Sequence, residues 1–407
     1  MASGQLSGEV APLDGLLPAD RLENLHDKPL SFYLHVPYCA SRCGYCDFNT
    51  YTLSELGENH SLKWLDGVKQ EIALAKKVLT TGGPKNGGIG VTPKISTIFV
   101  GGGTPTLLEA EDLVEAIAEL RAAFGFEPNI EITTEANPDS VDLEKLQALR
   151  AGGFNRISFG MQSAVPSVLK VLERTHNPEN VSKAVSMART AGFEQINLDL
   201  IYGTPGESIE DLQTSINAVL ALEVDHVSAY ALIVEEGTRL ARSISKNEIP
   251  HPDDDDMADK YLLLDKAFSE NGLNWYEVSN WAKPNRECQH NIHYWKSSNW
   301  WGIGPGAHSH VNGVRWWNEK LPRIWSQRLA DGQSPANARE VLDSKTQGIE
   351  DIMLRMRLAE GIAVSKLDNK IVDQLVEDGL ARIQNENLVL SLSGRLLADR
   401  VIDSLTD

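Results

Sequence analysis

Between residues 31 and 232 the chain alternates six short β-rich runs with amphipathic helical stretches, and this alternation limits its fold more than any other feature. The runs lie at 31–36, 95–100, 130–136, 156–161, 195–201 and 226–232. Helical periodicity intervenes at 60–79, 109–123, 141–150, 178–190 and 208–220. Strands joined by helical crossovers run parallel, so the pattern predicts an α/β protein with a parallel sheet, either open or closed towards a barrel. Both forms collect function at the C-terminal ends of the strands. The chemically distinctive residues fall there: a cysteine loop after the first run, Gly101-Gly102-Gly103-Thr104-Pro105-Thr106 after the second, then Glu135, Gln162 and Asp199.

The cysteine loop holds Cys39, Cys43 and Cys46, three of the four cysteines in 407 residues, spaced C-x3-C-x2-C. A disulfide framework would need more cysteines, spread more widely. Three thiolates fit an iron–sulfur cube with one iron left open, the kind of vacancy at which a metal centre works. The alternatives are buried structural thiols or a zinc knuckle with His35 as fourth ligand. The glycine turn permits close backbone approach and offers N–H groups to a carboxylate. Glu135 and Asp199 lie in apolar strands, where an unpaired carboxylate is costly, so each needs a partner such as an amino group, a diol or Arg174. Arg174 also reads as an ordinary helix-end cation.

A net charge of −19 argues against a nucleic-acid partner, though a local pocket can still hold an anion. No apolar run is long enough to span a membrane, and residues 1–30 lack a signal-peptide pattern, which places the chain in the cytoplasm. That segment reads as a mobile tail or strap, and 81–91 as a glycine-rich loop. Four aspartates at 253–256 read as a solvated helix start. Residues 275–320 carry seven of the nine tryptophans, together with Cys288, His290, His293, His308 and His310. Imidazole and thiolate are usual axial ligands of haem iron, and aromatic faces cover a flat macrocycle well. A hydrogen-bonded structural pair is the alternative for His290 and His293, and core packing the alternative for the tryptophans. His308 and His310 follow a glycine-rich turn that lets a ligand approach the backbone.

The cysteine spacing after a strand, with Tyr45 just before the third cysteine, resembles the radical S-adenosylmethionine (SAM) superfamily. From about residue 31 to the end the chain resembles its HemN/HemW branch. The resemblance implies an incomplete (β/α)6 barrel over 31–240, an extension over 241–337, and a C-terminal helical, winged-helix-like domain over 338–407. It implies a [4Fe-4S] cluster on Cys39, Cys43 and Cys46. It also implies SAM contacts at Tyr33, Tyr45, Gly102, Gly103, Thr104, Glu135, Gln162, Arg174 and Asp199. Phe48 stands where the oxygen-independent coproporphyrinogen III oxidases of the branch carry a fourth cysteine. His290-Asn291-Ile292-His293-Tyr294-Trp295 resembles the H-N-x-x-Y-W signature of the HemW-type haem chaperones. Together these favour haem binding, with His290 and His293 as the candidate contacts; adjacent Cys288 is an open alternative as ligand or attachment point. They also favour delivery to haem-acceptor proteins, such as respiratory enzymes at the inner face of the membrane, by a monomer or homodimer. The rival expectation is the oxidase itself, an enzyme decarboxylating porphyrinogen propionates.

Overall fold

The structure, a computed structural model, describes residues 8–56, 60–81 and 93–406. Most of the expected 81–91 loop, and the first seven residues of the expected tail, lie outside these. All six expected strands form: β1 Leu30–Val36, β2 Ile95–Gly102, β3 Phe126–Ala136, β4 Arg156–Gln162, β5 Gln195–Tyr202 and β6 His226–Ala231. They lie side by side in chain order, all parallel. The crossovers include α1 His60–Thr81, α2 Ala110–Phe124, α3 Leu143–Ala151, α4 Glu179–Thr190 and α5 Ile209–Ala221.

Alternation along each strand divides the sheet into two faces. One carries Phe32, Leu34, Val36, Ile98, Val100, Ile132, Ile157, Phe159, Ile196 and Leu198, buried in one core with Val68, Ile72, Leu113, Ile117, Leu120, Val185 and Ile216 of the helices. At about 1.5–3 kcal/mol per buried Leu, Ile or Phe, this outer layer stabilises the fold. The other face is thereby left free for polar groups: Ser31, Tyr33 and His35 of β1, Thr97 of β2, Glu131 and Glu135 of β3, Ser158 and Gln162 of β4, Asn197 and Asp199 of β5.

The region beyond β6, expected as an extension, continues the same sheet at both ends. Asn280–Ala282 pairs antiparallel with β6, and Asn274–Glu277 lies outside it. At the other end β7 (Asn299–Ile303) inserts parallel beside β1. The antiparallel strands β8 (His308–Val311), β9 (Val314–Asn318) and β10 (Ala336–Val341) follow. The boundary expected at 337/338 therefore cuts through β10. The C-terminal unit begins after it: helices Ser344–Arg355, Asn369–Glu377 and Ala398–Thr406 surround a three-stranded sheet with its own core of Ile362, Val372, Leu375, Leu388, Leu390 and Val401. Arg395 docks it through two 2.8 Å bonds to Asp265.

Of the two forms expected ahead of β1, a tail or a strap, residues 8–29 take the second. Glu9–Val10 pairs with β10, and Ala11, Leu22 and Leu25 enter the main core. Asp253 caps the helix Asp254–Glu270, with Asp254, Asp255 and Asp256 in its first turn, as a solvated helix start requires. Among the described residues no helix is long and apolar enough to cross a membrane.

Candidate cofactor site

The cysteine loop leaves the C-terminal end of β1. Tyr38–Cys39 pairs with Tyr51–Thr52, which closes the loop on itself. His35 fastens the closure, with Nδ1 on the Tyr33 hydroxyl (3.0 Å) and Nε2 on the Asn49 carbonyl (2.9 Å). Burial pulls this imidazole down to about 4. His35 is thus a neutral brace for the loop, with both nitrogens taken, and not a zinc ligand.

The glycine turn at the end of β2 braces the loop from the other side. Gly103 donates to the Val36 carbonyl at 2.8 Å and Thr104 to that of Tyr38 at 2.7 Å. A Cβ on Gly103 would stand 2.3 Å from the Tyr38 oxygen and 3.0 Å from the Cys39 sulfur. One on Gly102, where φ is +113°, would enter the His35 ring at 2.6 Å. The glycines are required by contact with the loop. Their amides, expected to be open to a ligand, are spent inside the protein, that of Gly102 on Glu135 Oε2 at 2.9 Å.

Cys39, Cys43 and Cys46 are free and partly accessible. Burial raises the Cys39 thiol, and with neighbouring thiolates raises that of Cys46 to about 11. Arg174 Nη1 lies 3.5 Å from Cys43 Sγ, and Nη2 is anchored on the Gly160 carbonyl at 2.9 Å. Burial opposes the Arg174 charge, but Cys43 and Tyr45 more than restore it. Three thiols and one buried guanidinium fit an anionic cluster held at three corners. Among the described residues no three His, Cys, Asp or Glu side chains gather at a single ion. A cube, bound through one thiolate per iron, does not ask them to. Phe48 is 63% exposed and supplies no fourth donor.

Two carboxylates face the loop from the strand ends. Burial first, then Asp199, raises Glu135 to about 8. Asp199 accepts from Ser158 (2.9 Å) and Asn197 (2.7 Å), and burial still raises it. Gln162 sits at φ +62° where β4 bulges against β5. A Cβ on Gly160 would lie 2.9 Å from Gln162 and 3.1 Å from Arg174, so this glycine makes room for both. Sequence reasoning passed over it, although a glycine inside a strand signals such an approach. Tyr33 stacks on Phe99. Tyr45 packs into a satellite cluster with Leu172, Ile201, Leu232 and Leu240, which anchors the loop's far side.

The histidine string is elsewhere. It forms the short helix α6, Gln289–Trp295, against Ser31, Thr97 and Glu131. Ser31 is five residues before the end of β1, roughly 17 Å at strand rise, so α6 plugs the N-terminal end of the sheet's polar face. Glu131 caps it, accepting from Gln289 N (3.1 Å) and His290 N (3.0 Å). His290 is buried, with Nδ1 on Thr97 (2.8 Å) and Nε2 on Tyr294 (2.9 Å). Thr97 donates to Ser31, whose hydroxyl lies 2.8 Å from His293 Nδ1. That chain of donors makes Nδ1 the acceptor and leaves the ring proton on Nε2. The haem contact expected of His290 thus meets a ring with both nitrogens taken, as the structural alternative requires, whereas His293 keeps Nε2 without a hydrogen-bond partner among the described residues. Cys288 is buried against Glu131, its thiol pushed up by burial. Asn291 and Trp295 face Glu277, which burial raises to about 8. Thr97 and Glu131 had no local signal, because their partners in α6 are distant in sequence.

Residues 33–219 match the family model of the Radical SAM superfamily. The chain is 43% identical over 396 residues to "Heme chaperone HemW" of Mycobacterium tuberculosis, covering 97% of each chain. It is 31% identical over 383 residues to the protein of that name from Bacillus subtilis, covering 91% of this chain and 97% of the relative. Coproporphyrinogen III oxidase (HemN) from Escherichia coli shares the fold, with a TM-score of 0.80 at 21% identity over 98% of this chain and 96% of that one. Similarity running from strap to C-terminal unit, at 43% identity, assigns this chain to the HemW family of radical SAM proteins.

Proposed function

We propose that this chain is a haem chaperone that binds a [4Fe-4S] cluster, SAM and haem, and passes the haem to acceptor proteins. The superfamily implies the first two cofactors. The observation that carries the third is end-to-end similarity to proteins named for haem chaperoning, joined to a loop in which an exposed Phe48 replaces a fourth sulfur.

In this reading Cys39, Cys43 and Cys46 hold three irons, and Arg174 offsets thiolate charge at Cys43. A cluster held there would, when reduced, be able to supply an electron to the sulfonium of bound SAM. Glu135 and Asp199 accept from the SAM amino group and ribose hydroxyls, and an arriving ammonium would draw Glu135 to its charged form. Gln162, Tyr33 and Tyr45 frame the site, and Gly102, Gly103 and Thr104 fix its floor to the loop. Acceptors are haem proteins, among them respiratory enzymes at the inner face of the membrane.

The test is anaerobic reconstitution, haem titration, then transfer to an apo-haem protein. Haem bound and passed on, without conversion of coproporphyrinogen III, is the expected result. Turnover to protoporphyrinogen IX would replace this reading with the oxidase.

A further inference from the structure

The polar face of the sheet does not end at β1. Register pairs Gly302 with Tyr33 across β7, Trp300 with His310 across β8, and His308 with Trp317 across β9. His308 therefore stands on the continuation of the face that carries Tyr33 and His35, and its charge bears on His35. It lies at the cysteine-loop end, opposite α6. The two sides are stitched together there: Asn49 donates to the carbonyls of Pro305 (3.0 Å) and Lys320 (2.8 Å), and Tyr51 to that of Lys320 (3.2 Å).

Four histidines occupy residues 275–320, and two have both ring nitrogens committed. His290 uses both nitrogens, whereas half-buried His293 engages only Nδ1, on Ser31, at the α6 end of the face. His310 is buried between the Ser298 carbonyl (3.0 Å) and the Gly313 amide (3.1 Å). His308 is exposed, and among the described residues neither of its ring nitrogens has a hydrogen-bond partner. Its ring stacks on Trp317 with centroids 6.0 Å apart, which restricts how the imidazole turns.

The surroundings suit a flat apolar dianion. Phe48 (63% exposed) and Leu321 (48% exposed) each adjoin the Asn49–Lys320 contact in sequence. Lys320 is the cation that acts most strongly on His308, followed by Arg315. Arg315 is bound by Glu340 and Glu350, whereas Lys320 is exposed and makes no ion pair among the described residues.

We propose that His308 is the axial ligand through which this chain holds haem iron, with Phe48 and Leu321 against the macrocycle and Lys320 facing a propionate. This rests on the haem-chaperone reading, and it puts the haem at the cluster end of the sheet.

Hemin, before and after dithionite reduction, is titrated into the full chain with its cluster reconstituted. The wild-type protein gives a ligand-shifted Soret band. His308→Ala loses that shift while keeping its iron–sulfur absorbance, SAM affinity and melting temperature, and added imidazole restores the shift. Lys320→Ala keeps the band and weakens binding by up to about fivefold, the range of one exposed ion pair. An unaltered Soret band and affinity in His308→Ala overturns the assignment while leaving haem binding intact. Loss of the band in His293→Ala but not in His308→Ala also overturns it, in favour of α6. A wild-type protein that binds no hemin removes the chaperone reading, and this inference with it.

Discussion

Replacing Glu131 by Gln tests whether the histidine string is architecture. The carboxylate is 6% exposed and accepts from two amides of α6, at 3.1 and 3.0 Å. It lies 3.8 Å from Arg156, which is 2% exposed. The amide side chain keeps the shape but offers one oxygen, so its NH2 is turned on a second N–H. Arg156 keeps its bonds to Gln195 (2.8 Å) and the Arg286 carbonyl (3.0 Å) but loses its buried counter-charge. Breaking a buried pair on one side costs about 3–5 kcal/mol. A chain of this length unfolds with an entropy of about 0.9 kcal/mol/K, so the melting temperature should fall by about 3–6 °C. Calorimetry on the apo-protein measures this, and iron per chain after reconstitution is the companion readout. Iron should not change, because α6 is at the opposite end from the cysteines. An unchanged melting temperature would refute the reasoning, and loss of haem binding without loss of stability would return the string to the ligand set.

Gly103→Ala drives a methyl group to 2.3 Å from the Tyr38 carbonyl, an overpacking of about 1–3 kcal/mol that the loop can relieve only by shifting Cys39. Iron per chain should fall, and full loading would show that the glycine turn does not brace the loop. Because Cys39 and Cys46 are raised, ligation must displace protons, so cluster reconstitution should accelerate from pH about 7 to about 9; iron uptake independent of pH contradicts this. Glu277, raised from 4.5 to about 8, contributes stability that is complete below 4.5. That contribution declines by about 1.4 kcal/mol per pH unit and is gone above pH about 8. Glu277→Gln cannot titrate, so its melting temperature should vary less with pH over that window, as a pH series of thermal melts would show.

What could be read from the sequence was local. Each strand of the barrel, the helix between each pair, and the cysteine loop announce themselves within a few residues, and all stand where expected. The capped aspartate run does too. The partners that define the polar face are not local: Thr97 meets His290 across 193 residues, and Ser31 meets His293 across 262. No periodicity signals that β7 will insert beside β1, and without that strand neither the α6 plug nor the position of His308 can be placed. The strap shows a similar limit. Its glycines and prolines suggest freedom, while three scattered apolar side chains, Ala11, Leu22 and Leu25, fasten it to the core.

The string shows why a residue pattern and a ligand site can separate. His, Asn, Tyr and Trp are the residues a haem pocket would use, and also those that satisfy buried polar groups at the closed end of a sheet. Here every named position of the string has an internal role: His290 between Thr97 and Tyr294, Asn291 and Trp295 facing Glu277, and Tyr294 edge-on to Trp300 at 4.7 Å. Trp300 in turn packs on His310 at 4.8 Å and pairs with it in the ladder, so the plug fixes the register of β7 and β8. That register sets His308 at the open end beside the cysteine loop. The string can therefore mark haem-handling chains without touching haem, because it builds the strand pair on which an uncommitted imidazole is displayed.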